Sequence, residues 1–160
     1  MMSSVTLRRA MVEDVEELVE LRLALMHSDN EHDEQTDDES WKKATRLYFL
    51  ESLPAGTFIA WVAEAQGKIV ACSGLVFFQK PPSIGNLSGL EGYILNMYTL
   101  PQWRGQGLAT KLLQKLLDHA KQTKAGRVWL MATAPGKPIY EKAGFVMRPA
   151  PNMQAMDLTL

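Results

Sequence analysis

The segment Arg104-Gly105-Gln106-Gly107 stands at the mouth of an amphipathic run, and its chemistry is that of an anion cradle. Residues without β-carbons let main-chain N–H groups turn inward and approach a ligand closely. The helix predicted to follow, through Leu108, Ala109 and Thr110, adds unpaired N–H donors. Its macrodipole contributes about half a positive charge there, a setting suited to a pyrophosphate. Two glycines before a helix can also make no more than a tight turn. A dinucleotide-binding G-x-G-x-x-G fingerprint would need glycine or alanine where Thr110 stands. It would also want an acid at the end of the next strand, and residues 127–133 (RVWLMAT) supply none. A nucleotide P-loop would end in Gly-Lys-Ser/Thr, which this turn lacks.

A cradle of this kind needs a strand before it and a helix after it. Residues 93–100 (YILNMYTL) are rich in β-branched and aromatic residues and read as a strand, which Pro101 stops because proline has no N–H for a ladder. Leu108, Leu112, Leu113, Leu116, Leu117 and Ala120 recur at helical spacing. Lys111, Gln114, Lys115, Asp118 and Lys121 lie opposite them, which predicts a helix ending near Gly126.

Gln102-Trp103-Arg104-Gly105-Gln106-Gly107 fits every fixed position of the pattern Gln/Arg-x-x-Gly-x-Gly/Ala. Tyr140-Glu141-Lys142-Ala143-Gly144-Phe145 places a tyrosine in a short helix closed by Gly-Phe. With both elements in this order, the chain resembles the GNAT superfamily of acetyl-CoA-dependent N-acetyltransferases over essentially its whole length. Arg8-x-Ala10-x-x-x-Asp14 also resembles the way many members begin. The resemblance implies an α/β acyl-CoA N-acyltransferase fold with acetyl-CoA as co-substrate. It places the thioester beside the central strand, with the main chain of Met97, Tyr98 and Thr99 taking up pantetheine and the acetyl carbonyl. Gln102, Arg104, Gly105, Gln106, Gly107, Leu108, Ala109 and Thr110 would hold the pyrophosphate, chiefly by main chain. Thr133 stands on the cofactor side where many members carry asparagine, seven residues before Tyr140.

Acetyl transfer to an amine needs a neutral nucleophile, an orienting site, stabilisation of an oxyanion and a proton for the departing thiolate. Tyr140 matches the tyrosine that protonates the thiolate in many members. A phenol of pKa about 10 can donate to a thiolate whose conjugate acid is near about 8.5; packing between helix and sheet is the other role open to Tyr140. An alkyl amine of pKa about 10.4 must lose a proton first. Glu91, just before the central strand, and Asn96, on it, are the candidates for taking that proton directly or through a positioned water. Tyr93 and the Tyr98 side chain read as packing residues. A regulatory module that binds acyl-CoA without turnover is the alternative of a different class. A purely structural interaction protein would leave the glycine turn without purpose.

The 160 residues, 46% hydrophobic, predict a single domain, and a formal net charge of −1 suggests neither a nucleic-acid footprint nor a membrane-surface patch. No apolar run approaches the ~18 residues of a membrane span, and the N-terminus has no signal core, so a soluble, cytoplasmic chain is expected. Cys72 is the only cysteine and lies in a predicted strand, which excludes an intrachain disulfide and predicts a buried, inert thiol. His27, His32 and His119 show no ligand spacing, and no metal is predicted. The expected acceptor is a small cationic amine or a peptide amino group; a homodimer is left open.

Along the chain, residues 5–9 predict a strand and residues 13–27 a helix with acids at its start. The carboxylate-rich stretch 28–40 reads as a solvated loop, and Asp29 to Glu39 is the candidate region for steering a cationic acceptor. Thr36-Asp37-Asp38-Glu39 is a capping box for a second helix, ended by Pro54-Ala55-Gly56. Residues 57–65 and 69–79 predict a hairpin, and 80–92 a long loop. Strands at 127–133, 145–148 and 153–160 complete an expected mixed sheet of about seven strands flanked by about four helices.

Overall fold

The computed structural model describes residues 4–28, 38–148 and 155–160. Helices are α1 (Val15–Ser28), α2 (Asp38–Ala55), α3 (Leu108–Lys121) and α4 (Lys137–Lys142). Strands are β1 (Val5–Arg9), β2 (Phe58–Ile59), β3 (Trp61–Ala65), β4 (Lys68–Gln79), β5 (Leu90–Thr99) and β6 (Arg127–Leu130). They form one six-stranded sheet in the order β1-β3-β4-β5-β6, with β2 also on β4. All pairs are antiparallel except β5 with β6, which is parallel because α3 crosses over between them.

Two-residue alternation sorts the strand side chains between two cores. On one face Val62, Cys72 and Phe58 meet Leu18, Val19 and Leu21 of α1 and Phe49 of α2. On the other, Ile59, Leu75 and Ile94 meet Leu113, Leu116 and Ala120 of α3, while Ala63, Ala71 and Val70 meet Leu108 and Leu112. Leu108, Leu112, Leu113 and Leu116 of α3 are thus buried as their periodicity requires, and Leu117 is half-buried. At the N-terminus, Asp14 accepts two hydrogen bonds of 2.8 Å from Arg8 and one of 2.7 Å from the Met11 N–H. The guanidinium holds this carboxyl below its ordinary range and ties β1 to the start of α1.

Four expectations change. The strand expected over 57–65 breaks at Ala60, whose carbonyl accepts the Ala10 N–H at 3.0 Å. The central strand begins at Leu90, so Glu91 lies on it rather than before it. Helix α3 ends at Lys121, where the Gln122 and Thr123 N–H groups tighten onto His119 and Ala120. Residues 145–148 and 155–160 form no strand: Val146, Met156 and Leu158 are at least 80% exposed, and strand propensity without a ladder partner does not make a strand. The capping threonine Thr36 and the segment 29–37 lie outside the described residues, as do Met153 and Gln154.

The long loop is tightly tied rather than loose. Lys80 N–H donates to Gly89 O at 2.9 Å, and Asn86 Nδ2 donates to Leu90 O, also at 2.9 Å. Gly126 N–H adds a third clasp to Leu90 O at 3.1 Å, fixing where β5 and β6 begin side by side.

Candidate active site

β5 and β6 pair only from Glu91↔Arg127 to Ile94↔Leu130. β5 then runs on for Leu95, Asn96, Met97, Tyr98 and Thr99 with no strand on that edge among the described residues. On its other edge β4 pairs Gly74 with Leu95 and Cys72 with Tyr98, so Asn96 and Met97 together oppose Ser73. That is a β-bulge, which bends a strand and re-aims its groups. Asn96 has φ 58°, a left-handed conformation that asparagine tolerates better than other side chains. The bulge also restores the alternation out of step: Leu95 and Tyr98 both face α1, and Met97 faces α3. Past Leu130 this leaves a gap in the ladder, where backbone polar groups on one edge of β5 meet no strand among the described residues.

The gap leads to the glycine turn. After Thr99, a single 3-10 turn (Pro101–Trp103) redirects the chain, anchored by Trp103 against the core. Gly105 and Gly107 both have φ 74°, and Gly107 is the N-cap of α3. The first intrahelical bond, Lys111 N–H to Gly107 O at 3.1 Å, leaves the preceding N–H groups without helical partners, and no side chain caps them. A β-carbon on Gly105 or Gly107 would meet nothing within 4 Å, so the concavity is open. These donors suit a pyrophosphate. Arg104 folds back instead: its Nε donates to Thr99 O at 3.0 Å, and its guanidinium lies over Tyr98, 5.6 Å from the ring centroid. In this structure Arg104 closes the turn, while Gln102 lines a separate cavity of about 570 Å³ beside α1 and the β3–β4 turn.

Tyr140 of α4 packs on the α3 side of the sheet in the same cluster as Met97, Leu130 and Ile139. Phe145 holds the ring edge-on at 6.0 Å. Thr133 builds the turn into α4, its carbonyl accepting from Gly136 N–H (3.1 Å) and Lys137 N–H (2.9 Å) and its hydroxyl from Gly136 N–H (3.3 Å). A β-carbon on Gly136 would lie 3.2 Å from the Tyr140 ring and 3.3 Å from the Thr133 hydroxyl, so both would have to give by a few tenths of an ångström.

The opposite face carries Glu91, Tyr93 and Asn96. Glu91 is 8% exposed and ion-paired with Lys80 at 3.4 Å and Arg127 at 3.5 Å. At about 3.3 Å per residue it lies roughly 17 Å along β5 from Asn96, so the structure does not bring the two together. Between them the Tyr93 ring lies tilted against Trp129, their centroids 4.5 Å apart. Asn96 is 3% exposed, and its Oδ1 accepts from Arg22 of α1 at 3.5 Å. Cys72 beneath donates its thiol to Asn96 O at 3.3 Å, and burial pushes that thiol up to about 12. Arg22 was not among the residues singled out from sequence. Its signal was a cation one turn after buried Leu18, on the core-facing stripe of α1. Among the described residues no cluster of His, Cys, Asp or Glu could hold a metal ion, and no helix is long and apolar enough to cross a membrane.

A mixed sheet whose parallel pair ends ahead of a bulge in the central strand, with a glycine turn and helix N-terminus after that strand, is the acyl-CoA N-acyltransferase fold. Residues 16–145 match the model of the acetyltransferase (GNAT) family, and the chain belongs to that family. It is 34% identical over 105 residues to YjgM, an uncharacterised N-acetyltransferase of Escherichia coli (strain K12), covering 62% of this chain and 56% of that one. The chain thus spans little more than half that relative's length. A predicted acetyltransferase from Clostridium acetobutylicum, crystallised with acetyl-CoA, superposes with a TM-score of 0.83 at 30% identity, covering 96% of each chain. A GCN5-related N-acetyltransferase from Ralstonia eutropha JMP134 gives 0.80 at 25% identity, covering 96% of this chain and 99% of that one.

Proposed function

We propose that this chain transfers the acetyl group of acetyl-CoA to a primary amine of a small molecule or peptide by direct attack on the thioester. The observation that carries the proposal is the continuity of the unpaired length of β5 with the uncapped N-terminus of α3. Acetyl-CoA supplies an activated acyl carbon and a leaving thiolate. The main chain of Gly105, Gln106, Gly107, Leu108, Ala109 and Thr110 binds the pyrophosphate, and the main chain of Met97, Tyr98 and Thr99 orients the pantetheine and polarises the acetyl carbonyl. The amine enters from the α1 face, through the gap, and Tyr140 stands on the α3 face to protonate the sulfur. Thr133 serves by fixing the turn that presents Tyr140.

The Asn96 carboxamide does not titrate near neutral pH and so positions a group or water at the bulge rather than taking the proton. Glu91, ion-paired with Lys80 and Arg127 five residues along β5 from Asn96, does not reach the amine, whose proton passes to water. The test is acetyl-CoA binding by calorimetry followed by coenzyme A release against a broad amine panel. Tight binding with no release from any amine would make the chain a non-catalytic acyl-CoA module. No binding would remove the proposal.

A further inference from the structure

Leu100 N–H donates to Val70 O of β4 at 2.9 Å. The carbonyl and N–H of one trans peptide point opposite ways, so Thr99 O is turned away from β4, toward the edge of β5 that has no strand past Ile94 among the described residues. That carbonyl belongs to the main chain assigned above to pantetheine, yet it is already taken: Arg104 Nε donates to it at 3.0 Å. The guanidinium meanwhile lies over Tyr98, 5.6 Å from the ring centroid. Both of these partners are neutral, whereas Arg8, Arg46 and Arg127 hold carboxylates. A bond to a neutral carbonyl and an exposed cation–π contact are weak holds on so long a side chain, set against charge-assisted bonds to phosphate oxygens. Arg104 is exposed and stands immediately before Gly105, at the start of the turn whose N–H groups suit a pyrophosphate.

We infer that Arg104 selects the acyl donor, admitting coenzyme A thioesters and holding off pantetheine thioesters that lack a pyrophosphate; this rests on the acetyl-transfer reading and names what that site demands of its donor. Folded over Tyr98, Arg104 covers the last carbonyl of β5 against the pantetheine arm. A donor without a pyrophosphate has to break the bond from Arg104 to Thr99 O and leaves the displaced guanidinium with water alone. A donor that carries one exchanges the same bond for charge-assisted bonds about twice as strong, and so frees Thr99 O for a pantetheine amide. One side chain thus supplies both an obstacle to the wrong donor and an attraction for the right one.

The test compares acetyl-CoA with acetyl-pantetheine on the full chain and on Arg104→Met, which keeps an unbranched stem over Tyr98 and deletes both the donor and the charge. Affinities come from calorimetry and, for weak binding, from titrations of the ¹⁵N-labelled protein. The two donors should move in opposite directions. Acetyl-pantetheine should bind the variant about threefold to tenfold more tightly than the parent, the release of one neutral hydrogen bond. Acetyl-CoA should bind it about threefold to thirtyfold less tightly, because the phosphate pair lost outweighs the carbonyl gained. A side chain that only braces the turn would weaken both donors alike. In the parent, the Arg104 Nε–H resonance, identified by its loss in the variant, should shift when acetyl-CoA is added. Arg104→Gln serves both purposes if Arg104→Met does not fold. Acetyl-pantetheine affinity unchanged or weakened in the variant, or an Arg104 Nε–H unmoved by saturating acetyl-CoA, would overturn the inference and leave acetyl transfer standing. Opposed changes in affinity with no coenzyme A released from any amine would uphold Arg104 as the selector and overturn acetyl transfer. A parent chain that binds neither donor would overturn both.

Discussion

Replacing Gly107 with alanine separates the strain of a left-handed residue from the loss of an anion cradle. At φ 74° an L-side chain is disfavoured, by about 1–2 kcal/mol. Nothing within 4 Å would clash with the new methyl, so no packing loss adds to this. For a chain of this size the melting temperature should drop by about 2–8 °C. The methyl projects into the concavity, and displacing a pyrophosphate from one charge-assisted N–H forfeits about 1.5–3 kcal/mol. Acetyl-CoA affinity should therefore weaken about tenfold to a hundredfold. Gly56→Ala is the matched control: its φ is 70°, it also has open space within 4 Å, and it follows α2 far from the turn. Both variants should lose similar thermal stability, but only Gly107→Ala should lose acetyl-CoA binding by calorimetry. Binding of acetyl-pantetheine, which has no pyrophosphate, should be spared in both. Equal acetyl-CoA affinities in the two variants, with equal melting temperatures, would refute the cradle.

Tyr140→Phe retains the contact with Phe145 and deletes the donor; turnover should fall by about 10²- to 10⁴-fold with acetyl-CoA affinity unchanged. A full rate with chemistry shown to be limiting would leave Tyr140 a packing residue. Asp14→Asn should destabilise the fold by about 1–3 kcal/mol at neutral pH, since it breaks a largely buried pair whose Arg8 partner keeps Glu64. Because the folded Asp14 titrates below its unfolded value, this stabilisation is present above the ordinary carboxylate range and is lost as pH falls through the folded value. Denaturant curves of the two proteins should accordingly converge in acid; a constant difference down to strongly acidic pH would assign the effect to packing. Cys72 should resist alkylation at mildly alkaline pH until the chain unfolds, its thiol being buried and pushed up to about 12. Labelling of the native protein as fast as of a free thiol would show that the core opens locally.

What could be read in the sequence was what local chemistry dictates. Glycine spacing before Leu108 marked the turn, and the leucine period marked the helix that follows it. Pairing is not local, and there the reading stopped short. Nothing in residues 127–133 says that pairing with β5 ends at Leu130, because neither Met131 nor Ala132 is a strand breaker. The bulge was hidden because both faces of β5 are covered, so Leu95, Met97 and Tyr98 show no alternation to break. The C-terminal strand pattern of Met156, Leu158 and Leu160 was legible as propensity, but propensity cannot name a partner. Arg22 was passed over because a basic residue on an amphipathic helix ordinarily reads as solvated.

The bulge makes Asn96 a spacer. Were that one residue deleted, Leu95 would still face α1, Met97 would still face α3 and Tyr98 would still face α1. The ladder with β4 would close in register from Gln79↔Leu90 through Ala71↔Thr99. A shortened chain should therefore hold its sheet at least as firmly as the parent, while the wall of the gap straightens and the opening it frames disappears. Insertions and deletions in a central strand are ordinarily ruinous because they exchange its two faces. Here a single-codon deletion is the permitted exception, and it would leave a sound scaffold from which the candidate site has been edited out.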